Sequence, residues 1–227
     1  MSTKINKTTI KCAVFDMDGT LLNTLKTINY YLNLALRKNG IEPVSEDECK
    51  RFVGYGARRL VKSALENSNS YSEALAEKVY EDYNTLYDAD PYYLTEAYDG
   101  IYECLSKLRQ SGITLAVLSN KPNFALREVT ERFFPNTFSL ARGAIDGVAL
   151  KPAPDALLLM LSELDLTPEE TAYIGDSEPD IETACNAKAA LPISVTWGFR
   201  TRDQLLSSGA IILADYPEDV AKIIIKK

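Results

Sequence analysis

The sequence predicts an α/β fold: a parallel sheet with helices on both faces and a small all-helical segment inserted after the first strand. Three observations carry this prediction. A short apolar run, Ile10-Lys11-Cys12-Ala13-Val14-Phe15, ends abruptly in the polar turn Asp16-Met17-Asp18-Gly19-Thr20, as a buried strand does. From about residue 24 to 90, apolar residues recur at helical spacing, with no convincing strand between them. After Asp90-Pro91, strand-like and helix-like segments alternate, the pattern of parallel strands joined by crossover helices.

Within the helical segment, Ile28, Tyr31, Leu32, Ala35 and Leu36 share one face, Leu60, Val61, Ala64 and Leu65 a second, and Leu75, Val79, Tyr83 and Leu86 a third. Beyond it, residues 100–110 read as a helix, residues 114–118 as a strand behind Gly112, and another helix follows Pro122. A helix over 154–164, a strand over 172–174, a helix over 178–186, a strand over 193–195, a helix over 202–208 and a strand over 211–213 complete the series. Residues 1–23 and 92–227 are therefore expected to form an α/β core and residues 24–91 a helical cap, with hinges near 22–25 and 89–94. No internal repeat or low-complexity linker interrupts this order.

Composition narrows the chemistry. The 227 residues carry a net charge of −7, which excludes a nucleic acid or an anionic membrane as an electrostatic partner. There is no histidine, so imidazole bases and histidine-based metal sites are ruled out. Cys12, Cys49, Cys104 and Cys185 form no CxxC pair, leaving no spacing for a zinc site or redox dithiol. The start of the chain, MSTKINKTTIK, has no secretory apolar stretch, and the longest aliphatic run, residues 156–161, is too short to cross a bilayer. A cytoplasmic protein is expected, with monomer and homodimer both open.

In open parallel sheets, ligands bind beyond the carboxyl ends of the strands. The residues there are Asp16 and Asp18, then Ser119-Asn120-Lys121, then Gly175-Asp176-Ser177. Two carboxylates one residue apart, in a turn opened by Gly19, cannot both be buried without a cation or a proton between them. A Mg²⁺ ion bound through oxygen meets that need, and Asp176 offers a further carboxylate. Such an ion would also orient a substrate phosphate for attack. Taken alone, Asp16-Met17-Asp18-Gly19 is equally a plain surface turn. Ser119 and Asn120 can seat phosphate oxygens or simply cap the helix that follows. Lys151, aimed by Pro152, can hold a transferring phosphoryl group and pair with Asp16. Ser177 is placed to cap the helix at 178. Asp180, in its first turn, serves the helix dipole or supports a metal ligand from behind.

Together, Asp16-Met17-Asp18-Gly19-Thr20-Leu21, Ser119-Asn120, Lys151 and Gly175-Asp176-Ser177 with Asp180 resemble the four motifs of the haloacid-dehalogenase superfamily, in order, over residues 10 to 190. The resemblance implies a Rossmann-like core with a small helical cap, and a Mg²⁺-dependent phosphatase. It implies that Asp16 attacks phosphorus, that Asp18 protonates the leaving alcohol and later activates water, and that Asp16, Asp176 and the carbonyl of Asp18 hold the metal. An alkoxide leaving group needs such an acid and a halide does not, so Asp18 points to a phosphatase and not a dehalogenase.

The helical segment resembles the cap of the phosphoglycolate phosphatase subfamily. Phe52-Val53-Gly54-Tyr55-Gly56-Ala57-Arg58-Arg59-Leu60-Val61 is similar to its specificity loop and Thr196-Trp197-Gly198-Phe199-Arg200 to its tail. Gly54 and Gly56 would let backbone amides approach a ligand, and Arg58 would favour a small carboxylate; a flexible loop with its arginines in solvent fits the same residues. One departure is Lys188, in Ala187-Lys188-Ala189, where relatives commonly carry glycine.

The expected function is hydrolysis of a small phosphorylated metabolite, 2-phosphoglycolate first. Pyrophosphatase, sugar-phosphate phosphatase and phosphosugar mutase are alternatives on the same core. A non-catalytic binding protein would have lost Asp16, Asp18, Lys151 or Asp176, and all four are present. Eleven of the 13 tyrosines fall between residues 30 and 102; some could line the cleft, but helix packing accounts for most of them, and the enrichment carries no functional weight.

Overall fold

The structure, a computed structural model, describes residues 9–226. β1 (Cys12–Phe15) is buried along its whole length, and the turn after it leads through the short β2 (Leu22–Asn23) into four helices. α1 (Leu25–Lys38) buries Ile28, Tyr31, Leu32, Ala35 and Leu36, the predicted stripe. α2 (Glu46–Phe52) is a helix the periodicity did not reveal, because seven residues are too few to show a stripe. It is fixed by the reciprocal cap of Ser45 and Glu48 and anchored by buried Cys49. α3 (Ala57–Asn67) and α4 (Glu73–Ala89) bury Leu60, Val61, Ala64 and Leu65, and Val79, Tyr83 and Tyr87. The core of this insert also takes in Ala125 and Phe199. β3 (Glu96–Ala97) pairs antiparallel with β2, so the two strands of chain leading into and out of the insert are stitched together.

α5 (Ile101–Gln110), β4 (Thr114–Pro122), α6 (Asn123–Phe133), β5 (Leu140–Ala144), α7 (Asp155–Glu163), β6 (Thr171–Gly175), α8 (Glu178–Asn186), β7 (Leu191–Val195), α9 (Arg202–Ser207), β8 (Leu213–Ala214) and α10 (Pro217–Ile225) follow in alternation. β5, α10 and the β2–β3 pair are additions to the predicted elements. β8 starts at Leu213, not at 211, and Ile211 is 86% exposed.

The six-stranded sheet has the order β5-β4-β1-β6-β7-β8, with every pairing parallel. Alternation along the strands builds a core on each face. Ala13, Phe15, Leu115, Val117, Ala172 and Ile174 meet α5, α6 and α10. Cys12, Val14, Ala116, Leu118 and Tyr173 meet α7 and α8. Burial on both faces explains why these strands read as unbroken apolar runs. The strand order reverses at β1, which has β4 on one side and β6 on the other, and such a reversal opens a crevice at the strand ends. The helical insert lies over it. None of the described helices is long and apolar enough to cross a membrane.

Lys188 ends α8 in a Schellman turn: its N–H donates to Cys185 O at 3.0 Å and that of Ala189 to Ala184 O at 2.9 Å. The turn requires a left-handed residue, and Lys188 sits at φ 59°. A Cβ there costs about 1–2 kcal/mol, and the exposed side chain has little to offset it. Glycine's own entropic cost of about 0.5–1 kcal/mol takes back part of the gain. Lys188→Gly should therefore stabilise the protein by roughly 0.5–1 kcal/mol, raising Tm by roughly 1–4 °C. A thermal melt with Tm unchanged or lowered refutes this account.

Candidate active site

The turn after β1 carries Asp16 past the sheet, with its N–H donating to Ile174 O at 2.8 Å. Asp176 follows β6 directly, and Phe15 pairs in register with Ile174, so the two carboxylates arrive side by side. Asp16, Asp176 and Asp180 each place an oxygen within 4.8 Å of the others. Their exposures are 5%, 0% and 2%, so water screens none of them.

Glycines cut the space for this cluster. A Cβ on Gly19 or Gly198 would collide with the Asp176 carboxylate, and one on Gly175 with Asp180. Thr20 Oγ1 donates to Asp176 Oδ1 at 3.1 Å, and Phe199 N to Oδ2 at 2.7 Å. Asp180 accepts from Lys151 Nζ at 2.8 Å and Tyr173 OH at 3.3 Å, and from the N–H and hydroxyl of Ser177. Its oxygens are thus committed. Ser177 and Asp180 form the capping box of α8, and Asp180 also supports Lys151 from behind.

Lys151 lies between two acids, its Nζ 2.9 Å from Asp16 Oδ1 and 2.8 Å from Asp180 Oδ1. Its approach to Asp16 is out of line for a hydrogen bond, and Asp16 Oδ1 is left without a donor among the described residues. Burial works against charge on Lys151, but Asp16 and Asp180 outweigh it and hold the ammonium protonated. Burial pushes the Asp16 carboxyl above the usual carboxylate range; Lys151 pulls it down, while Asp180 and Asp18 push it further up. Burial, then Asp180 and Asp16, raises Asp176 in the same way. One ammonium stands against three carboxylates, and the imbalance calls for a cation or protons. The unpartnered oxygen, the all-oxygen donor set and the glycine-cut space fit a hard divalent cation such as Mg²⁺.

Asp18 faces the other way, toward the insert. It accepts from Thr24 Oγ1 at 2.8 Å and from Lys121 Nζ at 3.0 and 3.1 Å. Lys121, whose ammonium also lies 4.6 Å from the ring centroid of Tyr87, is a cleft residue to which the sequence reading gave no role. Ser119 is buried in the cleft, accepting from Lys121 N at 3.3 Å. α6 begins after Pro122 without a side-chain cap, so neither Ser119 nor Asn120 caps it. Asn120 accepts from Lys151 N at 2.8 Å and donates to Lys151 O and Gly54 O, both at 3.0 Å. Its amide is spent on two backbone loops and fixes Lys151; it is not presented to a phosphate.

Gly54 and Gly56, at φ 120° and 86°, line the cleft as expected. Arg58 does not. It lies one residue round from Ala57 on α3, about 100° away, where its guanidinium pairs with Glu77 and stacks 3.9 Å from the Tyr80 ring centroid. Its side chain is 63% exposed. Of the clustered tyrosines, Tyr83 and Tyr87 pack the insert and also wall the cleft, with Asn84 and Asp88 beside them. The free space within the cleft amounts to about 60 Å³.

Comparison with known proteins identifies the family. Residues 13–191 match the family described as haloacid dehalogenase-like hydrolase. The phosphoglycolate phosphatase of Vibrio parahaemolyticus is 29% identical over 220 residues, 95% of this chain and 96% of its own. The N-acetylmuramic acid 6-phosphate phosphatase of Pseudomonas aeruginosa is 29% identical over 217 residues, 95% of each chain. A solved structure from Lactobacillus delbrueckii subsp. bulgaricus, itself predicted to be a phosphoglycolate phosphatase, superposes with a TM-score of 0.91 at 32% identity, covering 96% of this chain and 100% of that one. A match that spans Asp16, Ser119, Lys151 and Asp176 places this chain in the haloacid dehalogenase-like hydrolase family, as a phosphoric monoester hydrolase.

Proposed function

We propose that the chain hydrolyses a small phosphate monoester, 2-phosphoglycolate first, through an aspartyl-phosphate on Asp16. Mg²⁺ would be held by the carboxylates of Asp16 and Asp176 and the carbonyl oxygen of Asp18. The observation that supports this best is the buried cluster of Asp16, Asp176 and Asp180 around the single ammonium of Lys151. When bound, the ion supplies the positive charge that keeps the acids ionised and draws charge from the phosphoryl group.

Asp16 is the nucleophile: its oxygen forms a bond to phosphorus as the ester P–O bond breaks. Lys151 holds Asp16 in place and offsets charge on the phosphoryl oxygens, with Ser119 beside them. Asp18, on the insert side, gives a proton to the leaving oxygen. It then takes a proton from the water that cleaves the aspartyl-phosphate, releasing phosphate and restoring Asp16. We assign residues 24–91 as a cap that closes over this cleft and excludes water during transfer, with 1–23 and 92–227 as the core. Buried, free Cys12, Cys49 and Cys104 accord with a cytoplasmic enzyme.

The cleft's free space of about 60 Å³ suits a small ester, since about 10–15 Å³ on this measure holds one water. A substrate as bulky as N-acetylmuramic acid 6-phosphate would require the insert to lift. With Arg58 turned outward, Lys121 is the cleft cation available to a substrate carboxylate.

Three experiments test this reading. Phosphate release from 2-phosphoglycolate, pyrophosphate, a hexose phosphate and an aryl phosphate should be led by 2-phosphoglycolate in kcat/KM, and be abolished by EDTA and by Asp16→Asn. Turnover that survives Asp16→Asn overturns the nucleophile; a different leading ester overturns only the substrate. Lys121→Met should lower kcat/KM for 2-phosphoglycolate roughly tenfold more than for ethyl phosphate, the weight of one charge-assisted hydrogen bond. Equal losses on both esters remove Lys121 from carboxylate recognition.

The third test is thermal stability against pH. Asp16 and Asp176 have folded pKa values raised by burial, so the metal-free folded state binds more protons than the unfolded one above the ordinary carboxylate pKa. Metal-free stability should therefore fall as pH rises from about 5 to about 8. Mg²⁺ should restore Tm near pH 8, where the acids are ionised, and add little near pH 5, where protons compete for them. Asp176→Asn should abolish the response; an equal Mg²⁺ effect in that variant contradicts the metal assignment.

A further inference from the structure

We propose that Arg200 is a positioning residue that latches the helical insert over the cleft, and thereby sets the preference for small over bulky esters. Its guanidinium is 6% exposed and joins two parts of the molecule. Nε donates to Glu178 Oε1 and Oε2 at 2.9 and 2.8 Å; Nη1 donates to Lys50 O at 2.8 Å and Nη2 to Val53 O at 3.0 Å. Glu178 opens α8, directly after Ser177, and belongs to the sheet-bearing core. Lys50 lies in the last turn of α2 and Val53 is its C-cap.

Carbonyls at a helix C-terminus have no donor within the helix, and that end carries partial negative charge. Arg200 therefore sits between two negative groups, one on the insert and one on the core. Lifting the insert would strip two charge-assisted hydrogen bonds and leave Glu178 as the remaining partner. Asn120 Nδ2 holds the neighbouring Gly54 O at 3.0 Å, so three carbonyls of the segment 50–54 are gripped by core side chains. This segment leads into Gly54, Gly56 and Ala57, which line the cleft. Where the latch places them decides whether the cleft is closed down to its small volume. A lysine could not substitute, since a single ammonium lacks the planar fork that reaches both carbonyls and the carboxylate.

The kinetic part of this inference rests on the phosphatase reading; the conformational part does not. The test uses the full chain as wild type, Arg200→Lys and Arg200→Ala, compared by hydrogen exchange and by kcat/KM on 2-phosphoglycolate and 4-nitrophenyl phosphate. Both variants should exchange residues 50–56 roughly tenfold faster or more, the effect of losing one charge-assisted hydrogen bond, with β1 and β4 unchanged. The ratio of 2-phosphoglycolate to aryl phosphate kcat/KM should fall by a similar factor in both, because the bulkier ester depends less on a closed cleft. Unchanged exchange at 50–56, faster exchange that extends equally into the sheet, or wild-type behaviour of Arg200→Lys each overturns the latch. A wild type inactive on 2-phosphoglycolate overturns the substrate reading instead, and the exchange data then judge the latch alone.

Discussion

Lys151 Nζ, wedged 2.9 Å from Asp16 and 2.8 Å from Asp180 where little water reaches, is the contact around which the rest of the site is built. Breaking one partner from a buried ion pair leaves a charge with nothing to offset it, a loss of about 3–5 kcal/mol. The surroundings accordingly secure the lysine from several sides. Asn120 binds both its N–H and its carbonyl. Tyr173, from the middle of β6, shares Asp180, and Ser177 takes the second Asp180 oxygen as part of the cap of α8. The start of one helix, the end of one strand and the loop before α7 are thus tied to a single ammonium group.

That arrangement explains why the fold places so many glycines and hydroxyls around Asp176. A carboxylate with no exposure must have its lone pairs met, and Thr20 and the Phe199 N–H meet one on each oxygen from two separate loops. Gly19 and Gly198 leave room for it where any Cβ would intrude. The same loop that supplies the Phe199 N–H continues into Arg200, which grips the insert. Support of the buried acids and placement of the helical cover therefore share five consecutive residues, 196–200, so a change in one is transmitted to the other over a very short stretch of backbone.

The parts of this design legible in the sequence were those written locally. Each strand bearing Asp16, Ser119 or Asp176 announces itself as an apolar run broken by polar residues, and the capping box at Ser177 and Asp180 marks the start of α8. What stayed hidden depends on tertiary partners. Lys121 is a charged residue at a strand end, ordinarily solvated; its burial comes from Asp18 and Tyr87, far away in the chain. Tyr83 and Tyr87 carry a helix-packing spacing whether or not a cleft lies beyond them. Arg58 turned outward because Glu77 and Tyr80 wait on the neighbouring helix. β5 gave no signal, since Leu-Ala-Arg-Gly-Ala lacks β-branched residues. α10 did give one: Pro217 at its start with Val220, Ala221 and Ile224 on one face.

The charges around the cleft also bear on hydrolysis against phosphoryl return to a sugar. Asp16, Asp18, Asp88, Asp176 and Asp180 stand against the ammonium groups of Lys121 and Lys151. With Asp18 protonated as the leaving-group acid, the remaining carboxylates are just balanced by these two ammoniums and a divalent cation, so every further anionic group on a substrate goes uncompensated. A mutase must hold a bisphosphate, whose second phosphoryl group brings nearly two more negative charges. Lys151 is committed to Asp16 and Asp180, and Lys121 has one ammonium to offer in exchange for its contact with Asp18. That exchange can meet a single carboxylate. It leaves no second cleft ammonium for another phosphate among the described residues, and the electrostatics therefore favour a monoester whose phosphoryl group passes to water.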